Sequence, residues 1–160
     1  MVSVSGDGGY NEVVNGVMQA GNDRAFTAVL AAGNANDHRR TTKERPIAEA
    51  AIEALGRKAL PVQGDMSDPE AAEALIKAAL GAFGKVDILV NNAGITRDNL
   101  MMRMDEAEWQ DVIDTNLSGP FWMTKAIARP MVKARSGRII NMSSVAGRMG
   151  NAGQANYAAA

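Results

Sequence analysis

The pattern of hydrophobic and polar positions changes near Ala48, beyond which short apolar runs alternate with stretches of helical period. Ala50 to Leu55 reads as the end of a helix closed by Gly56, because glycine enters the left-handed conformation of a helix C-terminus without strain. Ala59 to Gln63 (ALPVQ) is a short apolar run suited to a buried strand. Ser67, Asp68, Pro69 and Glu70 form a helix start: Ser67 and Glu70 have capping-box spacing, and Pro69 suits a first turn whose N–H is unpaired anyway. Ala72, Leu75, Ile76, Ala79, Leu80 and Phe83 fall on one face of that helix, which ends near Gly84. Val86 to Val90 (VDILV) is a second strand, Asp105 to Ala134 a long helical stretch, and Arg138 to Met142 (RIINM) a third strand. Strands alternating with helices of this length predict βαβ units, hence an α/β fold with a parallel sheet and helices on both faces.

Residues 1–47 are less coherent. Phe26, Val29, Leu30 and Gly33 fit one face of a helix, and Val13 to Met18 fit a weak strand. Asn34 to Arg45 (NANDHRRTTKER) contains nothing that could bury a central strand and reads as a solvated loop.

Charge and composition narrow the chemistry. The 17 Lys and Arg against 18 Asp and Glu leave a net charge of −1, without the basic excess that nucleic acid or an anionic membrane requires of a partner. There are no cysteines, which excludes disulfides, thiolate zinc sites and cysteine nucleophiles, and no metal is expected. No apolar run reaches the ~18 residues of a membrane span, and the N-terminus lacks a basic-then-apolar leader, so a cytoplasmic protein is the expectation. The 160 residues fit one domain.

An open parallel sheet binds ligands beyond the carboxyl ends of its strands. The residues there are Gly64-Asp65-Met66, Asn91-Asn92-Ala93-Gly94 and Ser143-Ser144, nearly all small or polar. A plain turn explains the Asn-Asn-Ala-Gly equally well, since Asn and Gly are common in turns. Ser144 read together with Tyr157 is more specific. A Tyr hydroxyl works as a general acid once something lowers its pKa from ~10, and a neighbouring hydroxyl such as Ser144 can orient a substrate carbonyl. A cation four residues further along a helix would sit beside Tyr157. That position is 161, beyond the last residue given.

GDMSDPE, VDILVNNAG, the Asn of DTNLSG, RIINMSSVAG and NYAAA, in this order and spacing, resemble the short-chain dehydrogenase/reductase family over Ala48 to Ala160. ITRDNLMMRM and GNAGQANYAAA are most similar to the branch acting on 3-oxoacyl-acyl-carrier-protein, with acetoacetyl-CoA reductases as the alternative. The resemblance implies a Rossmann-like, doubly wound parallel sheet and an NADPH-dependent reduction of a 3-ketoacyl thioester in fatty acid biosynthesis, with NADH left open as cofactor. It implies Tyr157 as proton donor, Ser144 as a hydrogen-bond donor to the ketone oxygen, and Asn116 as the helix asparagine whose main-chain carbonyl holds a relay water. Asp65 and Met66 would border the adenine, and Asn92 the cofactor ribose. The substrate would be an acyl thioester on acyl carrier protein or coenzyme A, and the assembly a homotetramer. Pro120 lacks the N–H that would bond the Asn116 carbonyl, which predicts a disturbed helix there.

The chain departs from the family pattern in two places. RAFTAVLAAG (Arg24 to Gly33) resembles the helix after the family's glycine-rich phosphate loop, and the residues before it, VMQAGND, carry Gly21 alone. The second strand is not discernible; Arg39, Arg40, Lys43 and Arg45 lie about where a 2′-phosphate would be read, and read more simply as a solvated basic run. Residues 1–47 are therefore read as a divergent part of one incomplete 1–160 domain, with its first two strands poorly supported. The family's last two strands, lid and much of its subunit interface would lie beyond residue 160, so the 160 residues alone are expected to be marginally stable and inactive. The alternative is a non-catalytic remnant that associates through its helices.

Overall fold

The computed structural model describes the backbone of strands β1 (Val2–Ser5) and β2 (Ala28–Ala31), residues 56 and 58–60, and the chain from 62 to 160. With β3 (Val62–Gln63), β4 (Ile88–Asn92) and β5 (Arg138–Asn141), these form one parallel five-stranded sheet in the order β3-β2-β1-β4-β5. This order is that of a Rossmann-like doubly wound sheet, whose switch point lies between β1 and β4. β1 is central: Val2 to Ser5 pair with Ala28 to Ala31 on one side and with Leu89 to Asn92 on the other.

The centre of the sheet is therefore filled from within the first 31 residues. The run expected to be a helix face around Val29 and Leu30 is instead β2. Four consecutive apolar residues, Ala28-Val29-Leu30-Ala31, carry no period of their own, and ladders to β1 and β3 on either side decide for a strand. The weak strand at Val13–Met18, the loop at Asn34–Arg45 and the helix at Ala50–Leu55 lie outside the described residues. Gly56 itself has the left-handed φ of 69° expected of it.

Helix α1 (Pro69–Phe83) starts one residue later than the capping-box spacing suggests. Asp68 is the N-cap, its carboxylate accepting from the Glu70 N–H at 2.9 Å, with Pro69 at the first helical position. Ser67 is used elsewhere: its hydroxyl and N–H both donate to the Asp65 carboxylate, at 2.7 and 2.9 Å. The helix ends on Gly84, whose φ of 75° lets its N–H reach the Leu80 carbonyl. Of the predicted face, Ala72, Leu75, Ile76 and Ala79 are buried, and Leu80 and Phe83 pack against them.

The long helical stretch is real but divided. Asp105 and Glu108 form a capping box for α2 (Glu106–Ile113). A π-helical turn follows over Asp114–Ser118, in which the Gly119 N–H bonds the Asp114 carbonyl five residues back, and α3 (Gly119–Ala134) continues from it. Met66, Leu75, Ile76, Leu89, Met123 and Ile127 join α1, α3 and the sheet in one buried cluster. Gly119 is required at the junction, because a Cβ there would stand 2.9 Å from the Met66 carbonyl oxygen.

Candidate active site

β4 runs two residues further than the apolar pattern suggests, so Asn91 and Asn92 are its last members rather than the start of a loop. Their backbones are paired with Val4 and Ser5 of β1, and Asn91 also with Asn141 of β5. The Asn91 side chain is buried and donates to Asn141 Oδ1 at 2.8 Å and to Thr124 Oγ1 at 3.4 Å. Its Oδ1 is a buried acceptor without a partner among the described residues.

Beyond the carboxyl ends of β4 and β5 opens a cavity of about 540 Å³, within the usual range for a small-molecule site. Asn92, Gly94, Asn116, Ser144 and Tyr157 all line it. The sheet thus brings together four of the six residues expected to serve the chemistry. Asp65 and Met66 do not reach this cavity. Asp65 is exposed and organises the turn after β3, and the Met66 side chain is buried in the core against the start of α3.

Each lining residue is held by a definite local cause. Asn116 sits in the π turn, a feature that recurs at functional sites, and the disturbance expected from Pro120 is present as this change of register. Pro120 has no N–H to give to a carbonyl four or five residues back. The Asn116 amide pins the segment after β4 at two points: Oδ1 accepts from the Ile95 N–H at 2.8 Å, and Nδ2 donates to the Ile95 carbonyl at 3.0 Å. A Cβ at Gly94 would lie 3.5 Å from Asn116 Oδ1, in ordinary van der Waals contact with that amide.

Ser144 is the N-cap of the short helix α4 (Val145–Met149), its Oγ accepting from the Ala146 N–H at 3.2 Å. A hydroxyl has one proton and two lone pairs; with a lone pair committed to the cap, the proton remains to be donated into the cavity. Tyr157 lies on α5 (Ala155–Ala159) and is half-buried. Two residues with O–H donors thus line one cavity, a pairing suited to receive a carbonyl oxygen.

The residue before Tyr157 was missed by the sequence reading. Asn156 is fully buried, and all of its amide contacts are made to backbone: Nδ2 to the carbonyls of Arg97 and Glu108, Oδ1 to the Tyr157 N–H. The only signal in the sequence was the Asn of NYAAA, a residue type that is ordinarily solvated. RAFTAVLAAG contains β2 rather than the expected helix, and both VMQAGND and the residues directly after β1, Gly6-Asp7-Gly8-Gly9, lie outside the described residues. The run from Arg39 to Arg45 is likewise outside them. Among the described residues no cluster of acidic or histidine side chains could hold a metal, and no helix is long and apolar enough to cross a membrane.

Comparison with known proteins agrees with this geometry. A family model described as short chain dehydrogenase matches residues 22–160. A 3-oxoacyl-acyl-carrier-protein reductase FabG of Escherichia coli is 50% identical over 137 residues, 86% of this chain and 56% of that protein. The protein of the same description from Vibrio cholerae is 62% identical over 96 residues, 60% of this chain and 39% of that one. A 3-oxoacyl-acyl-carrier-protein reductase of Synechocystis is 54% identical over 111 residues, 69% and 45% of the two chains. The chain spans about half the length of these relatives.

Proposed function

Because the chain belongs to the short chain dehydrogenase family, we propose that it serves an NADPH-dependent reduction of a 3-ketoacyl thioester to the 3-hydroxyacyl thioester, in fatty acid biosynthesis in the cytoplasm. The observation that carries the reading is that Ser144, its hydroxyl engaged as an acceptor by the Ala146 N–H, lines the same cavity as Tyr157. The lining by Asn92, Gly94, Asn116 and Asn141 fits a nicotinamide and its ribose beside Asn92. A bound nicotinamide cofactor would supply the hydride.

The residues of the chain supply the rest. Ser144 donates a hydrogen bond to the ketone oxygen and orients it. Tyr157 gives its proton to that oxygen, so the carbonyl gains one proton there and becomes the hydroxyl. Asn116 holds the segment after β4 against the cavity and keeps its own main-chain carbonyl available to a relay water. Asp65 and the Met66 backbone border the adenine. Gly6, Gly8 and Gly9, directly after β1, have the composition that lets backbone N–H groups close on a pyrophosphate. The acyl group is carried on acyl carrier protein, and the active assembly is a homotetramer.

The test is acetoacetyl-thioester-dependent oxidation of NADPH by the protein carrying this sequence, at its natural length. Tyr157→Phe is expected to lower kcat by ~10²–10⁴-fold, the range for removal of a general acid, with NADPH affinity retained. Turnover that survives this substitution, or none with any 3-ketoacyl thioester in the unsubstituted protein, overturns the reading.

A further inference from the structure

We propose that Asn156 is a positioning residue for catalysis, which sets the place of the Tyr157 hydroxyl by clamping the first turn of its helix to two distant backbone segments. This rests on Tyr157 being the proton donor. The helix that carries Tyr157 starts at Ala155 and begins poorly. Gln154 occupies the N-cap position and makes no side-chain cap hydrogen bond, although the first N–H groups of any helix lack intrahelical partners.

Asn156 makes up this deficit from inside the helix. Its Oδ1 takes the Tyr157 N–H at 2.8 Å, as an N-cap side chain would. Its Nδ2 donates to the Arg97 carbonyl, in the segment after β4, and to the Glu108 carbonyl of α2, both at 2.9 Å. Both amide protons and one acceptor lone pair are thus used, in a site with 0% exposure. The Arg97 partner lies two residues from Ile95, which Asn116 holds. One short segment, 95–97, therefore ties the Asn116 wall of the cavity to the Tyr157 wall.

Other contacts flank the clamp without replacing it. Gln154 reaches the Asp98 carboxylate, and the Asn99 N–H donates to the Gly153 carbonyl. Both precede the helix, whereas the Asn156 contacts are made within its first turn. Removing the amide releases that turn from α2 and from the segment after β4, and lets Tyr157 move relative to Ser144. A misplacement of about 1 Å costs roughly 10²-fold in rate.

The experiment compares Asn156→Ala with Tyr157→Phe and the unsubstituted protein, in steady-state kinetics with acetoacetyl thioester and in NADPH binding. Asn156→Ala is expected to lower kcat about 10²-fold while KM and NADPH affinity hold. An unchanged kcat, with Tyr157→Phe inactive, overturns the positioning role alone. Retained activity in Tyr157→Phe overturns the functional reading instead. Should Asn156→Ala not fold, hydrogen exchange in the unsubstituted protein carries the test. Slow exchange of the Tyr157 N–H and the Asn156 amide supports the clamp, and exchange at the rate of an open helix end overturns it.

Discussion

The α1–α3 side of the sheet and the side built around α2, α4 and α5 are held together by different forces. On the first, Met66, Leu75, Ile76, Leu89, Met123 and Ile127 form a continuous apolar cluster. On the second, among the described residues, α2 buries Val112 alone, α4 buries no side chain and α5 buries Asn156. What orders that side is a set of side-chain amides and carboxylates: Asn156 on Arg97 and Glu108, Gln154 on Asp98, Asn99 on Glu108, and Asn116 on Ile95. Apolar burial is non-directional and tolerates small shifts, whereas a hydrogen bond fails over a few tenths of an ångström. The half that carries Tyr157 and its wall of the cavity is the half built from directional contacts.

The largest effect separating the two belongs to the core. Leu75 is 1% exposed, and its Cδ1 lies 2.9 Å from where a Cβ on Gly64 would stand, so no void surrounds it. Leu75→Ala should cost about 2–5 kcal/mol of stability, read as a lower urea midpoint at unchanged slope. The folded fraction should keep its kcat. A loss of kcat in that fraction would mean that the apolar half also sets the catalytic geometry, and would break the distinction.

This contrast also explains what was legible. The face of α1 could be read because burial repeats every 3.6 residues, and Ala72, Leu75, Ile76 and Ala79 are buried as expected. Ser144 and Tyr157 could be read because hydroxyls just past a strand and at a helix start are few and chemically distinct. β2 could not, since four apolar residues in a row fit either period, and its identity comes from the strands beside it. Asn156 could not, since its partners are main-chain carbonyls 48 and 59 residues away, which no local pattern encodes. The one-residue error at the start of α1 has the same root: Ser67 and Asp68 both suit a cap, and the Asp65 carboxylate claims Ser67.

Gly119 stands where the two halves meet, with the π turn before it and the Met66 backbone beneath it. In a solvent-facing helix Gly→Ala gains about 1 kcal/mol. Here the new Cβ meets a backbone oxygen at 2.9 Å, and that atom cannot rotate away. Gly119→Ala should therefore be destabilising, by about 1–3 kcal/mol as for other overpacked sites. Because α3 must lift at its junction with the π turn, kcat should fall as well. A rise in Tm would show that the junction is slack and that the halves are not coupled through it.

The smallest effect makes the sharpest comparison, because two helix caps of similar geometry lie on opposite sides. Asp68 caps α1 at 2.9 Å and Ser144 caps α4 at 3.2 Å, each accepting from the N–H two residues on. Asp68→Ala and Ser144→Ala should each lower stability by about 1 kcal/mol, the usual cost of a lost cap. Only Ser144→Ala should lower kcat, by about 10²–10³-fold, the loss found when one donor to a reacting carbonyl oxygen is removed. Ser144→Asp separates the roles, since its carboxylate caps α4 as well as a hydroxyl does but has no proton to donate. It should restore the stability lost in Ser144→Ala and leave kcat low. Recovery of turnover in Ser144→Asp would make the cap, and not the donated proton, the reason a hydroxyl stands there.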